Sequence, residues 1–425
     1  MLNAPKSVPA FLSFSTGGEA GAKTRGFLRD LGWVAVGYGL SRLLTLAVGV
    51  LAGRWLGPSE YGVLNLGLAA GSFLQPLVSW GIPMALVRYA SASPEKRNAY
   101  FATGGRLFLA LAATGTAMLF LVRRTLAGAA GLAPELVWGG VLYVLGYSVF
   151  FFMTSLPQAE GRFRLRAGSE IVFAVLYAAA FLILYRVIGP DHRAPLFAIG
   201  IGYAAAGLVL LPVYGRRLAG PVEGPLAGPM LSYGVLWMLD LTCISIQAFF
   251  LRFVVHRWMS AGDVGVISVY TLASLTVAFN LGGVFQTVFV PAASAHRDRE
   301  ALWDRLLTAF RRGFLPLGVL FMLAQRAALW LVGEAYPLRW DVAFLMAVAA
   351  ALCFYQLALG WLVSSSGVAG YRRTVIVRVA SSVLAVGLAL GLVPRWGLAG
   401  AAWSYALAYL ANFLLLLPAR KTLAS

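Results

Sequence analysis

The 425-residue chain is short of charge: Asp, Glu, Lys and Arg together make up 12% of it, about half the share of an ordinary soluble domain. So few charges cannot clothe a water-facing surface. They also exclude a disordered scaffold and a coiled coil. Acids are the scarcest, 16 against 34 Lys and Arg. Cysteine occurs twice, as Cys243 and Cys353, each inside an apolar stretch and without a CxxC spacing. That excludes a disulfide framework. The three histidines, His192, His256 and His296, lie far apart in expected loops, so no metal-ligand spacing is present and no metal is expected. Nor is there a nucleotide motif. Gly17 to Thr24 reads Gly-Gly-Glu-Ala-Gly-Ala-Lys-Thr, with Ala22 where a phosphate-binding loop has its second glycine, and no strand precedes it. No cofactor is expected, and ATP hydrolysis has no support.

What the chain has in abundance is apolar length. Sixty per cent of residues are hydrophobic and the mean hydropathy is +0.79, which indicates an all-α polytopic membrane protein. A helix needs about 20 apolar residues to cross the hydrocarbon core. About twelve such stretches occur, near 31–53, 62–84, 105–122, 136–157, 169–188, 195–214, 231–255, 266–291, 313–332, 341–363, 375–393 and 397–417. The net charge of +18 falls between these spans, so it reads as membrane topology rather than as nucleic-acid binding. With the N-terminus inside, 23 basic residues fall on the cytoplasmic side and ten on the outer side, with Arg42 left within the first span. Both termini are therefore expected in the cytoplasm of a multi-pass bacterial inner-membrane protein.

Three Gly-Pro pairs, at 220–221, 224–225 and 228–229, sit at the midpoint of the chain. They predict a non-helical cytoplasmic linker over 215–230. The expected organisation is a cytoplasmic tail (1–30), an N-lobe of six spans (31–214), the linker, a C-lobe of six spans (231–417) and a short cytoplasmic tail (418–425). Residues 297–312 carry Leu302, Leu306, Leu307 and Phe310 on one side and charge on the other, which predicts an amphipathic helix in the cytoplasmic interface. The segment Arg54-Trp55, Glu60, Gly62-Val63 recurs as Arg257-Trp258, Asp263, Gly265-Val266 at the same spacing and an offset of 203 residues. Two homologous halves of six helices follow, related by a pseudo-axis along the membrane normal.

Arg54-Trp55-Leu56-Gly57-Pro58-Ser59-Glu60-Tyr61-Gly62 resembles the segment after the first helix of bacterial lipid-linked oligosaccharide flippases. These are the O-antigen-type polysaccharide exporters of the multidrug/oligosaccharidyl-lipid/polysaccharide (MOP) superfamily. Gly81-Ile82-Pro83-Met84-Ala85-Leu86-Val87-Arg88-Tyr89 resembles the end of their second helix. Gly333-Glu334-Ala335-Tyr336 is similar to a short outer loop, and Gly397-Leu398-Ala399-Gly400-Ala401-Ala402 to the opening of the last helix pair. The resemblance implies two pseudo-symmetric six-helix bundles in a V, with helices one, two, seven and eight lining a central cavity. It also implies alternating access and a polyprenyl-diphosphate-linked glycan as cargo, moved to the outer leaflet. Membrane lipid, a polysaccharide polymerase and glycosyltransferases are the implied partners. The second half departs from the pattern, lacking the Gly57-Pro58 pair at the matching positions.

Ionisable groups deep in a span are costly and are functional candidates by default. Arg42, near the middle of span one, suits a diphosphate through its fixed charge and paired donors; otherwise it is structural. Asp240 in span seven, with Gln247 on the same helical face, either pairs with Arg42 across the cleft, takes a coupling proton or sodium ion, or merely reaches water. Arg252 guards the exit or, more simply, snorkels. Arg88 meets the headgroup at the cytoplasmic mouth or anchors the helix. Asn65, Gln75, Asn280 and Gln286 fit a sugar-lined cavity or helix–helix hydrogen bonds. A cation-coupled multidrug or metabolite antiporter is the first alternative. It would want acids in the N-lobe cavity, whereas Asp240 lies in the C-lobe. An integral-membrane enzyme of polysaccharide assembly is the second. It needs placed carboxylates at the outer face, and the short outer loops supply one or two each, so the chain is expected not to be an enzyme.

Overall fold

The computed structural model describes residues 19–422 apart from 131–133, 284, 286–298 and 367. Every regular element among these residues is helical. The long helix Glu19–Ser79 is broken at Gly57 (φ 74°, ψ 172°), a backbone region open to glycine. It therefore supplies span one and, with Ile82–Ala92, span two. Spans three to five are Arg97–Ala130, Pro134–Ala159 and Phe163–Ile188. Span six is Arg193–Leu208 and Leu211–Leu218, bent by 65°. Span seven is Gly224–Trp258, and span eight is Ala261–Ala273 continued by 275–283. Spans nine and ten are Arg299–Val332 and Trp340–Ser364. Spans eleven and twelve share Val368–Leu416, broken at Gly397 (φ 54°). Nine helices among the described residues are long and apolar enough to cross a membrane. Counting the two broken helices as pairs and adding the bent pair gives the twelve spans expected.

Two boundaries differ from the sequence reading. Span one reaches back to Glu19, into the expected tail. The non-helical part of the midpoint linker shrinks to a few residues around Gly220 to Glu223, because Pro225 falls in the first turn of span seven and Pro229 soon after. A proline in a first turn sacrifices an N–H that has no partner there anyway. What remains of the linker is tied to span three, through Arg106 to the Gly220 carbonyl (3.3 Å) and the Glu223 N–H to Thr103 (3.2 Å). The amphipathic segment is also not a separate helix. It is the start of span nine, and Leu302, Leu306, Leu307 and Phe310 pack on Tyr355, Leu362, Phe413 and Leu416 of the C-lobe rather than on lipid.

The six N-terminal and six C-terminal spans form two lobes. One apolar core joins them at one end, where Val48, Ala52, Tyr61 and Leu64 meet Val264, Ile267, Val332 and Tyr336. At the end carrying the chain termini each lobe has its own core, the N-lobe's reaching only Met230 and its neighbours at the start of span seven. The lobes thus form a V. At the joined end Trp55, Trp138, Trp258, Trp330, Trp340 and Trp396 are exposed at span termini, a one-sided belt of the kind that marks a membrane–water interface. The pseudo-symmetry is visible in single contacts. A Cβ on Gly62 would lie 1.7 Å from the Ala261 carbonyl oxygen, and one on Gly265 would lie 2.0 Å from that of Pro58. Pro58 and Ala261 are themselves 203 positions apart, as are Gly62 and Gly265, so the repeat meets itself on its own two-fold axis.

Candidate functional site

The polar groups separate into an N-lobe cluster, a C-lobe cluster and a lone arginine between the lobes. In the N-lobe, span one presents Arg42 to Glu170 of span five, with Nη2 3.9 Å from Oε2. The Glu170 side chain is 6% exposed and that of Arg42 is 36% exposed. A contact at that length neutralises the buried acid yet leaves guanidinium donors facing open space. Arg166 Nε donates to the Tyr38 hydroxyl (2.7 Å), and both guanidinium groups lie near the Tyr38 ring, at 6.0 and 5.7 Å. Tyr147 and Tyr203 stand within electrostatic reach of Arg42. Their rings form an edge-to-face pair (5.0 Å), and Phe173 stacks on Tyr203 (3.7 Å). The wall beside Arg42 is therefore aromatic and hydroxyl-bearing, and its nearest charges, two arginines and one glutamate, sum to a cation. Thr45, one turn from Arg42, donates its hydroxyl to backbone carbonyls of span one.

The expected Arg42–Asp240 pair across the cleft is not formed. Asp240 Oδ2 sits 2.6 Å from Arg378 Nη1 of span eleven, both side chains 6% exposed. Gln247 donates to Ser381 (2.7 Å) and accepts from Asn412 (3.4 Å), and Ser382 donates to the Cys243 carbonyl (3.1 Å). The reason is helical phase. Asp240 and Gln247 share the face of span seven that looks into its own lobe. Ser245 and Arg252 are rotated from Asp240 by roughly 140° and 120° and face the N-lobe instead, where Ser245 donates to the Ser72 carbonyl of span two (3.0 Å). Asp240 therefore already has a cationic partner at Oδ2, while its Oδ1 is buried without a hydrogen-bond partner. Arg378, counted in a cytoplasmic loop from the sequence, belongs to the lobe interior.

Arg252 does not snorkel. It is 7% exposed, donates to Thr271 (3.3 Å), lies 5.0 Å from the Phe249 ring and has its Nε buried without a hydrogen-bond partner. Removing Arg252 and Arg378 from the loop count takes one residue from each side, so the charge bias stands at 22 to 9. Arg88 is exposed and stacks on Tyr233 of span seven at 4.7 Å. Asn65 and Gln75 are buried, and each donates one bond within its own helix, to the Tyr61 carbonyl and to the Ser79 hydroxyl. Asn280 is partly buried, and Gln286 lies outside the described residues. The isolation expected of the histidines fails for His192. Its Nδ1 is 2.7 Å from Glu60 Oε2 and 3.3 Å from Asp191 Oδ1. These three groups bring ligand atoms within 4.8 Å of one another. Glu60 also accepts the His192 backbone N–H (3.2 Å), so it serves as a carboxylate at the start of span six.

Glu170 and Arg378 are the groups that sequence reasoning missed. Each stands just inside an expected span, one and three positions from its edge, and hydropathy windows absorbed both. Their position inside an apolar stretch was the available signal. Glu170 also removes the argument that the N-lobe holds no acid.

A family model described as polysaccharide biosynthesis protein matches residues 27–296. No curated relative matches the chain. Among solved structures, an inward-facing multidrug resistance MATE family transporter of the MOP superfamily is similar at 18% identity, with 90% of this chain and 94% of that one covered and a TM-score of 0.70. An outward-facing structure of such a transporter gives 16% identity, 93% and 95% coverage and a TM-score of 0.63. A MOP superfamily transporter from Pyrococcus furiosus, described as having a binding pocket of reversed polarity that suggests a different function, gives 16% identity, 94% and 96% coverage and 0.61.

Proposed function

The chain belongs to the polysaccharide biosynthesis protein family, and from that premise we propose that this MOP-superfamily membrane transporter flips a polyprenyl-diphosphate-linked oligosaccharide across the bacterial cytoplasmic membrane. The observation that carries the reading is Arg42. It is a half-open guanidinium on an aromatic, hydroxyl-bearing wall in mid-span, held by a buried acid at the long distance of 3.9 Å. An anionic diphosphate is a better partner for its free donors than a drug cation is. A second support is the surface around it. Val36, Leu40 and Leu43 of span one are 62%, 52% and 66% exposed, and Gly32 and Gly39 have nothing within 4 Å of a Cβ position. An apolar flank beside a cationic wall suits a cargo with a polyprenyl tail and a charged head. The tyrosines then face the saccharide, and Arg88 stands at the cytoplasmic mouth. In this reading both termini are cytoplasmic, the lobes comprise 31–214 and 231–417, and polymerase and glycosyltransferases supply and consume the cargo. The Arg378 partner of Asp240 argues against Asp240 as the group that takes a coupling proton or sodium ion.

Calorimetric binding of farnesyl diphosphate to the purified protein tests the site. Wild type should bind, and Arg42→Ala should weaken binding at least tenfold. Equal affinity in both would remove Arg42 from the site. The antiporter reading gains one observation, the buried N-lobe Glu170. It would be favoured by transport of a cationic drug that depends on Glu170 and is indifferent to Arg42.

A further inference from the structure

We propose that Glu60, Asp191 and His192 form a binding site for a divalent transition metal of the zinc class, on the N-lobe at the joined end of the V, where it clips the start of span two to the start of span six. His192 Nδ1 lies 2.7 Å from Glu60 Oε2 and 3.3 Å from Asp191 Oδ1, and the three ligand atoms all fall within 4.8 Å of one another. A tetrahedral zinc ion, with bonds of about 2.0–2.1 Å, holds its ligand atoms roughly 3.3 Å apart. The Asp191 contact already has that spacing, and the Glu60 contact needs to open by roughly half an ångström. One imidazole and two carboxylates are donors that zinc accepts, and the two carboxylates offset its charge.

Two separate turns bring the donors together. Glu60 stands just past the break at Gly57. Asp191 and His192 follow Gly189, whose φ of 92° turns the chain after span five, and the Asp191 N–H bonds the Gly189 carbonyl (2.9 Å). Backbone donors then hold the carboxylates in place. The His192 N–H donates to Glu60 Oε2 (3.2 Å) and the Arg193 N–H to Asp191 Oδ1 (2.7 Å). Outer-shell bonds of this kind orient metal ligands, and each oxygen keeps a second lone pair. The side chains of His192, Asp191 and Glu60 are 18%, 33% and 41% exposed. An ion therefore enters from water without any movement of the lobes, and water completes its shell. The 2.7 Å contact is a hydrogen bond through the Nδ1 proton; a bound metal takes that proton's place and releases it to solvent. The fold does not demand this set. In the other half, 203 positions on, Asp263 accepts the hydroxyl of its own cap Ser260 (2.6 Å), and Pro394 and Arg395 stand where Asp191 and His192 would recur. One neighbour opposes the metal: Arg193 Nε lies 3.7 Å from Asp191 Oδ2. Nothing in the site depends on which cargo is carried.

The test titrates untagged, chelator-stripped full-length protein in detergent with Zn²⁺ against a competing indicator. One equivalent should bind, and the thermal unfolding midpoint should rise as Zn²⁺ is added. His192→Ala, Glu60→Gln and Asp191→Asn should each weaken binding at least tenfold, the least that even outer-shell losses cost, and abolish the thermal shift. Arg193→Gln removes the opposing cation and should tighten binding severalfold. Glu95→Gln, an exposed acid at the far end of span two, should match the parent. A parent protein that retains no metal would overturn the proposal and leave the cluster a hydrogen-bonded tie. Binding that none of the three ligand variants weakens would overturn it too, as adventitious binding to surface carboxylates. Should a variant fail to fold, the ligand-field spectrum of Co²⁺ bound to the parent decides: nitrogen ligation supports the site, and an all-oxygen spectrum overturns it.

Discussion

Replacing Asp240 by Asn should cost the fold about 3–5 kcal/mol, the usual result of stripping one partner from a buried ion pair. The magnitude follows from the geometry. Both side chains are 6% exposed and the pair closes at 2.6 Å, so water cannot take over when the carboxylate is lost, and Arg378 is left charged inside the lobe. The neighbouring Gln247, Ser381, Ser382 and Asn412 are already bonded to one another and supply no carboxylate. A double replacement, Asp240→Leu with Arg378→Met, removes both charges and should return stability to within about 2 kcal/mol of the parent or above it. Detergent unfolding of the parent, Asp240→Leu, Arg378→Met and the double variant gives the cycle. Two results would refute the reasoning: an Asp240→Asn protein as stable as the parent, or a well-folded double variant that has lost a proton or sodium dependence the parent displays. The second would return Asp240 to the coupling role that its pairing with Arg378 argues against.

Glu170→Gln releases Arg42 from its 3.9 Å partner and should tighten diphosphate binding severalfold, measured by the same calorimetry; weaker binding would make Glu170 a cargo ligand. Arg252→Met replaces a buried cation that has no acidic partner among the described residues, so it should stabilise the protein by about 1–3 kcal/mol in detergent unfolding. Tyr203→Leu loses the 3.7 Å stack on Phe173 and should cost about 1–3 kcal/mol of stability. Glu60→Gln weakens the tie to His192 at the 41%-exposed Glu60 side chain, and its effect on stability should stay below about 1 kcal/mol; a larger loss would mean the tie holds the start of span six in place.

The spans were legible because crossing a bilayer forces about twenty apolar residues into one helix, and that pattern survives whatever packs around it. The repeat was legible for a sharper reason. Gly62 and Gly265 touch each other's helices backbone to backbone, so neither position tolerates a side chain, and the spacing around them shows in the sequence. The polar partners were not legible, because partner choice depends on the rotational phase of one helix against its neighbours. Asp240 was visible as an intramembrane acid, but only the packing of span eleven on span seven assigns it to Arg378 rather than to Arg42. The Gly-Pro pairs misled for a local reason: Pro225 suits the first turn of span seven and Pro229 is accommodated inside it, and sequence alone left open where span seven begins. Arg252 was assigned to the interface by its distance from the helix end, whereas its face of the helix carries it between the lobes.

The most direct test places purified protein in sealed liposomes containing a fluorescent polyprenyl-diphosphate-linked oligosaccharide and follows the access of an impermeant quencher to the label. Wild type should move the glycan between leaflets, and Arg42→Ala, confirmed as folded, should slow that movement at least tenfold. No movement of any such lipid by folded wild type, with or without an imposed ion gradient, would contradict the account.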